Sequence, residues 1–359
     1  MDRLDVRILR ELSQGHTVWP ARPGLAASYR ALARRVGVSP GTVRNRISTM
    51  VRMGFLLGIR VYPNPHLLGL RSGSYAIEVG ADRTKSQVIE ELSRLPGVVF
   101  FEDFHSPLLG IGLAYRDEGS LQRTLRAIDH TAHADRGSFT SVDHPSISIS
   151  LSGPEWALLA RLMQGRDPLD RLAGELHVAP RTVKRRIARL VRNNAILTSP
   201  RLAYRALAGG ATAELLVGYR DTGAKPSVVA RIERLVDAWL TFAGVWDEFA
   251  IFRLLLPNVA LANEIGRDVR RLEGVRSTRV EFVDGLIDRF EGFLPLVEER
   301  ARAGTASSAQ ERAYKPPPGE RHRSYTRALE AEPDSARRNR GGRADISQGA
   351  RSHGDPGSF

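Results

Sequence analysis

Between Ser39 and Arg52 the residue types suit hydrogen bonding to the edges and backbone of a nucleic acid duplex. Arg44 can give guanine two hydrogen bonds, Asn45 can do the same with adenine, and the methyl group of Thr42 can touch a thymine methyl. Gly41 leaves room for close approach of the backbone. Ser39, Arg46, Ser48 and Arg52 complete a face of donors that can meet phosphate oxygens. From Ser28 to Arg60 there are seven arginines and no Asp or Glu. Phosphate contact needs such a concentration of cations, whereas ordinary surfaces interleave both signs.

A second segment has the same character. From Arg171 to Arg205 nine cations stand against one acid, Glu175. Its outward residues, Arg181, Thr182, Lys184, Arg185 and Arg189, are nearly all cationic. They suit holding phosphate better than reading bases.

Other chemistry finds little support. The chain has no Cys, which excludes disulfides, thiolate metal sites and a Cys nucleophile. His105, His130, His133 and the Asp143–His144 pair do not make the three or four converging ligands that zinc requires. Phosphate-loop, zinc-protease and nucleophile-elbow motifs are missing. The expectation is therefore no catalytic residues, no metal, no cofactor and no enzymatic activity. A net charge of +13 is consistent with a polyanionic partner.

The elements that must position these residues follow from periodicity. Leu4, Ile8, Leu9 and Leu12 form one apolar helical stripe. A Pro- and Gly-bearing loop then leads to a short helix from Tyr29 to Val36, which Gly37 breaks. Ser39-Pro40 starts the next helix, Ser as N-cap and Pro in the first turn. Val43, Ile47, Met50 and Val51 are expected to face inward. Gly54 ends this helix, and GFLLGIRVYPN is expected to form a small hairpin, the wing. Two helices around a Gly-containing turn make a helix-turn-helix, whose second helix enters the major groove.

The pattern recurs. Leu32 to Leu57 aligns without gaps to Leu172 to Leu197 at an offset of 140, with identities that include Pro40/Pro180, Thr42/Thr182 and Arg46/Arg186. Shared apolar patterning alone does not explain Pro, Thr and Arg matches. The second copy opens on a Ser152-x-x-Glu155 capping box, but has Ala179 where the first has Ser39. Each copy is followed by β-α-β-β-α-β patterning, the order of a ferredoxin-like sandwich.

The expected fold class is α+β: two winged helix-turn-helix domains (1–65 and 151–205), each followed by a ferredoxin-like domain (70–148 and 211–297). Residues 301–359, rich in Gly, Ser, Pro and Arg, are expected to form a disordered basic tail. No apolar run approaches the ~20 residues that cross a bilayer, and the N-terminus lacks a signal peptide's apolar core. No membrane partner and a cytoplasmic location are expected.

The stretch LDVRILREL … LARRVGVSPGTVRNRISTMVRMGFLLGIRVYPNPHLLG resembles the Lrp/AsnC (leucine-responsive, feast/famine) transcription regulators. The resemblance extends over roughly residues 1–297 as two fused units. It implies a sequence-specific regulator of double-stranded DNA, a small-molecule effector, an intramolecular pseudo-dimer of the sheet domains, and homo-oligomers. The family's effector loop maps onto Phe104–Leu108 and Val245–Phe249, which makes His105, Ser106, Trp246, Asp247 and Glu248 the candidate effector residues. Neither stretch keeps the Gly usual in that loop. The alternative is a siroheme decarboxylase-like enzyme of the same superfamily. Ala21-Arg22-Pro23 and His105 resemble features of that group, without the Tyr, Arg and Trp that accompany its His.

Overall fold

The computed structural model describes residues 1–13, 29–135, 137–165, 169–207 and 209–313. Helix α1 (Arg3–Ser13) buries Val6, Ile8, Leu9 and Leu12 against α2 (Tyr29–Val36) and α3 (Pro40–Arg52). Gly37, at φ 70°, makes the turn between α2 and α3, where a side chain would strain the backbone. The Ser39 hydroxyl accepts the Thr42 N–H at 3.0 Å and so caps α3, with Pro40 in its first turn. Val51 was expected inside, yet it is 51% exposed. The buried line of α3 runs through Val43 and Met50, and a residue adjacent to Met50 is turned ~100° away from it.

Next come β1 (Leu56–Pro63), β2 (Arg71–Glu78), α4 (Lys85–Leu92), β3 (Val98–Phe104), β4 (Leu108–Tyr115), α5 (Glu118–Ala132) and β5 (Ser138–Val142). The chain continues through α6 (Gly153–Gln164), α7 (Leu169–Glu175), α8 (Pro180–Arg192), β6 (Ile196–Leu202), β7 (Ala211–Tyr219) and α9 (Lys225–Val236). It closes with β8 (Leu240–Val245), β9 (Phe249–Leu256), α10 (Val259–Arg270), β10 (Val275–Asp288) and α11 (Leu294–Ala313).

The expected wing hairpin does not form. Residues 56–63 are one unbroken strand, and β1 pairs antiparallel with β6, from Leu56–Leu202 to Pro63–Ile196. GFLLGIRVYPN contains no turn of its own, and a lone strand leaves its backbone donors and acceptors unpaired. The distant β6 supplies the partners.

The remaining strands form one antiparallel sheet in the order β5-β2-β4-β3-β10-β7-β9-β8. Strand β10 spans 14 residues. Its first part pairs with β7, and from Val283 onward it pairs with β3. Thus β10 joins what would otherwise be two four-stranded sheets. Each half buries its own helix-covered core: Ile77, Phe101 and Ile111 under α4 and α5, and Leu215, Phe252 and Leu254 under α9 and α10. Where the halves meet, the Arg253 guanidinium of β9 donates to both Glu214 of β7 and Glu102 of β3. All three side chains are at most 16% exposed.

Asn64, fully buried after β1, is a second tie. Its amide donates to the carbonyls of Pro145 and Asn194 at 2.9 Å each, and its Oδ1 accepts the His66 N–H at 3.1 Å. Beyond residue 301 the expected loss of structure does not begin at once. Helix α11 runs on to Ala313; in its first turns Val297 is buried against α6 and Ala301, four residues on, packs on the same cluster. The rest of the expected tail lies outside the described residues. Among the described residues no helix is long and apolar enough to cross a membrane.

Candidate nucleic-acid interface

Helix α3 turns Gly41, Arg44, Asn45, Ser48 and Arg52 outward, and Ser39 is exposed at its start. Thr42 is half-buried, its hydroxyl 2.9 Å from Ser39 Oγ. The Arg44 guanidinium lies over the Tyr29 ring at 5.4 Å, a cation–π contact that braces it on α2. Arg52 donates to Thr49 at 3.2 Å. Beside these, Arg30, Arg34, Gly37, Ser39 and Pro40 line an open depression of about 620 Å³ at the helix-turn-helix turn. The sequence reading counted Arg30 and Arg34 as charge but missed them as lining residues.

Ion pairing sorts the arginines. Arg46 donates to Asp2 at 2.7 Å and lies 3.4 Å from Asp5, a buried acid of α1. The hydrogen bond to Asp2, against a small cost of burial, raises the Arg46 pKa. Arg46 therefore ties α3 to α1, with its side chain still 39% exposed. Arg35 pairs with Glu11, and Arg60 with Asp288. Arg30, Arg34, Arg44 and Arg52 are left with no acidic partner among the described residues.

On α8, Arg181, Lys184 and Arg185 are exposed and Thr182 is half-buried. Arg189 instead bonds the buried Glu155 at the start of α6. Burial opposes it, yet the Arg189 and Ser152 hydrogen bonds hold the Glu155 carboxyl below its usual range. Arg189, like Arg46, ties its helix to a neighbouring one while its side chain stays partly exposed. Ala179 offers no side-chain cap.

The candidate effector residues meet different strands. The His105 N–H donates to the Phe282 carbonyl at 2.8 Å, and its ring lies 3.1 Å from Asp284. Ser106 donates to Glu281 at 2.6 Å. All three partners belong to β10. Trp246 stacks on Phe249 and donates its ring N–H to the Ser141 carbonyl of β5 at 3.0 Å. Asp247 pairs with Lys225 at 3.0 Å, and the Glu248 carbonyl accepts the Tyr219 N–H at 3.1 Å. The contacts of the two turns thus lie on different elements. Ala21–Pro23 lie outside the described residues. No group of three His, Asp or Glu among the described residues could hold a metal ion.

Comparisons with known proteins bear on this interface. Residues 1–51 match the AsnC-type helix-turn-helix domain. The HTH-type transcriptional regulator Ptr1 of Methanocaldococcus jannaschii is 38% identical over 69 residues, 19% of this chain and 40% of that protein. The proline dehydrogenase transcriptional activator of Rhizobium radiobacter is 30% identical over 93 residues, 26% of this chain and 53% of that protein. The chain spans about half the length of the curated relatives it matches. Among solved structures, AsnC of E. coli covers 42% of this chain and 97% of its own at 23% identity and a TM-score of 0.28. The siroheme decarboxylase NirDL covers 83% of this chain and 98% of its own at 16% identity and a TM-score of 0.47. The expectation that the chain is not an enzyme is withdrawn, since a solved structure similar over most of the chain is named as an enzyme. At that likeness it assigns no activity here. At its N-terminus the chain carries an AsnC-type helix-turn-helix domain, and its curated relatives are named as transcriptional regulators.

Proposed function

We propose that this chain is a sequence-selective, duplex-DNA-binding transcription regulator of the Lrp/AsnC type, built as two head-and-sheet units in one polypeptide. The observation that carries the reading is the outer face of α3. It presents Gly41, Arg44, Asn45 and Ser48 on a capped helix, beside an arginine-lined turn with no acid exposed on it. An Arg and an Asn one turn into a recognition helix are the residues that discriminate guanine and adenine.

The β1–β6 ladder supports the pseudo-dimer. At the repeat offset of 140, Ile59 corresponds to Ser199 and Arg60 to Pro200. The observed pairs are Ile59–Pro200 and Arg60–Ser199, so exchanging the copies exchanges the two pairs. Antiparallel strands paired in this way are related by a local two-fold axis. The heads at 1–65 and 151–205 then stand as partners, with sheet domains at 70–148 and 211–297 beneath them. Ser106 and Trp246 are already hydrogen-bonded across the sheet. The reading therefore rests on α3 and does not depend on an effector.

Gel-shift and footprinting assays over fragments of the source genome test the reading. Binding at low salt to particular fragments is expected. Arg44→Ala should weaken binding to the preferred fragment by about 1–3 kcal/mol while changing non-specific binding little. Equal affinity for all fragments, or no binding at low salt, refutes it.

A further inference from the structure

The two heads differ in chemistry although a common ladder joins them. At the repeat offset, Gly41 corresponds to Arg181, Arg44 to Lys184, Asn45 to Arg185 and Ser48 to Ala188. The Asn whose amide can pair with adenine is thus replaced by a cation, and the small Gly that permits close approach by a long one. Lys184 is a point charge, whereas Arg44 presents a planar fork. Helix α3 carries three cations, one of them tied to Asp2 and Asp5. Helix α8 carries six, of which only Arg189 has an acidic partner among the described residues. Arg181, Lys184, Arg185 and Arg192 are all exposed. Nor is α8 a decayed copy that no longer folds. Val183, Ile187, Leu190 and Val191 are buried, and Glu155 anchors the helix. Outward cations on an intact helix make a surface suited to a polyanion.

A head whose outward side chains are cations, with a Lys at the position of Arg44 and no amide to pair donor and acceptor on one base edge, is suited to phosphates, which carry no sequence information, while base discrimination needs directed hydrogen bonds. We infer that the α3 head reads base edges and the α8 head grips only the DNA backbone, so the duplex site is asymmetric, with one half-site of defined sequence and one whose sequence is free. The inference rests on the DNA-binding reading above. It also gives the bound chain a fixed direction on DNA, which two identical heads on a palindrome would not have.

Selection of duplexes by the full-length chain from a random-sequence library tests it, followed by hydroxyl-radical footprinting on the selected DNA. The expected result is a single defined block of sequence with protection extending about one helical turn, ~10 base pairs, beyond it on one side only. Asn45→Ala should blur the selected block. Lys184→Ala combined with Arg185→Ala should leave the block unchanged, weaken binding to every duplex alike, and reduce the slope of log affinity against log salt by about 1.8. Circular dichroism of both variants checks that the exposed substitutions leave the fold intact. Two defined half-sites, or a change in the selected sequence on substituting Lys184 and Arg185, overturn the inference while leaving the regulator reading standing. Failure to bind any duplex at low salt overturns both.

Discussion

Glu102→Gln isolates the energetics of the joint between the sheet halves. Glu102 and Glu214 share the single guanidinium of Arg253, and all three side chains are largely buried. Burial is the main cause that lifts the Glu102 pKa, to about 8. Arg253 opposes the rise and Glu214 adds to it. Burial alone would lower the Arg253 pKa, but its two carboxylate neighbours carry it well above its ordinary value. The folded chain therefore keeps a proton on Glu102 that the unfolded chain releases above its ordinary value of 4.5. Across that window the folded state binds more protons, so stability falls as pH rises. The contribution is complete below pH 4.5 and gone above about pH 8. At about 1.4 kcal/mol per pKa unit, the upper bound is roughly 4–5 kcal/mol. Relaxation and water entry at a buried ionised site reduce the expected loss to about 2–4 kcal/mol. Gln has the shape of protonated Glu and cannot ionise. Urea unfolding of both proteins at fixed ionic strength, from pH 5 to pH 8.5, gives the stability difference directly. Wild type should lose about 2–4 kcal/mol relative to Glu102→Gln over this range. A pH-independent difference, or one that grows in wild type's favour as pH rises, refutes the reasoning.

Other perturbations probe the ties that hold the heads. Ser39→Ala removes the cap of α3 and should cost about 1 kcal/mol in chemical denaturation, with weaker binding to the preferred DNA. Asn64→Ala strips the Pro145 and Asn194 carbonyls of their donor and should destabilise by about 1–3 kcal/mol, read as a lowered Tm. His144 is held neutral by burial and by the neighbouring His66, with its pKa down at about 4. The folded state thus binds fewer protons than the unfolded between about 4 and 6.5, so stability should drop as pH falls through that range. His144→Gln should remove that part of the acid sensitivity while leaving stability at pH 8 nearly unchanged.

Much of the first head was legible in the sequence because its signals are local. Ser39-Pro40 marks a helix start, Gly37 marks a left-handed turn, and Val43 and Met50 mark a buried line. Each depends on residues within a turn or two. The outward residues of α3 followed from the same geometry. What could not be read were partners. Alternation marks 54–64 as extended and suggests a hairpin folded on itself, but nothing in those residues says that Ile196–Leu202 supplies the matching hydrogen bonds. Arg46 and Arg189 read as cations on a DNA face, and only the fold brings up α1 and α6 with Asp2, Asp5 and Glu155, acids 34 to 44 residues away in the chain. Glu102, Glu214 and Arg253 left no trace as a group, since each is an ordinary charged residue on its own strand. The sequence by itself determined local conformation, because capping, φ preference and periodicity act over a few residues. The tertiary structure alone decided strand pairing and which charges meet, because those depend on close approach of segments that chain separation leaves unspecified.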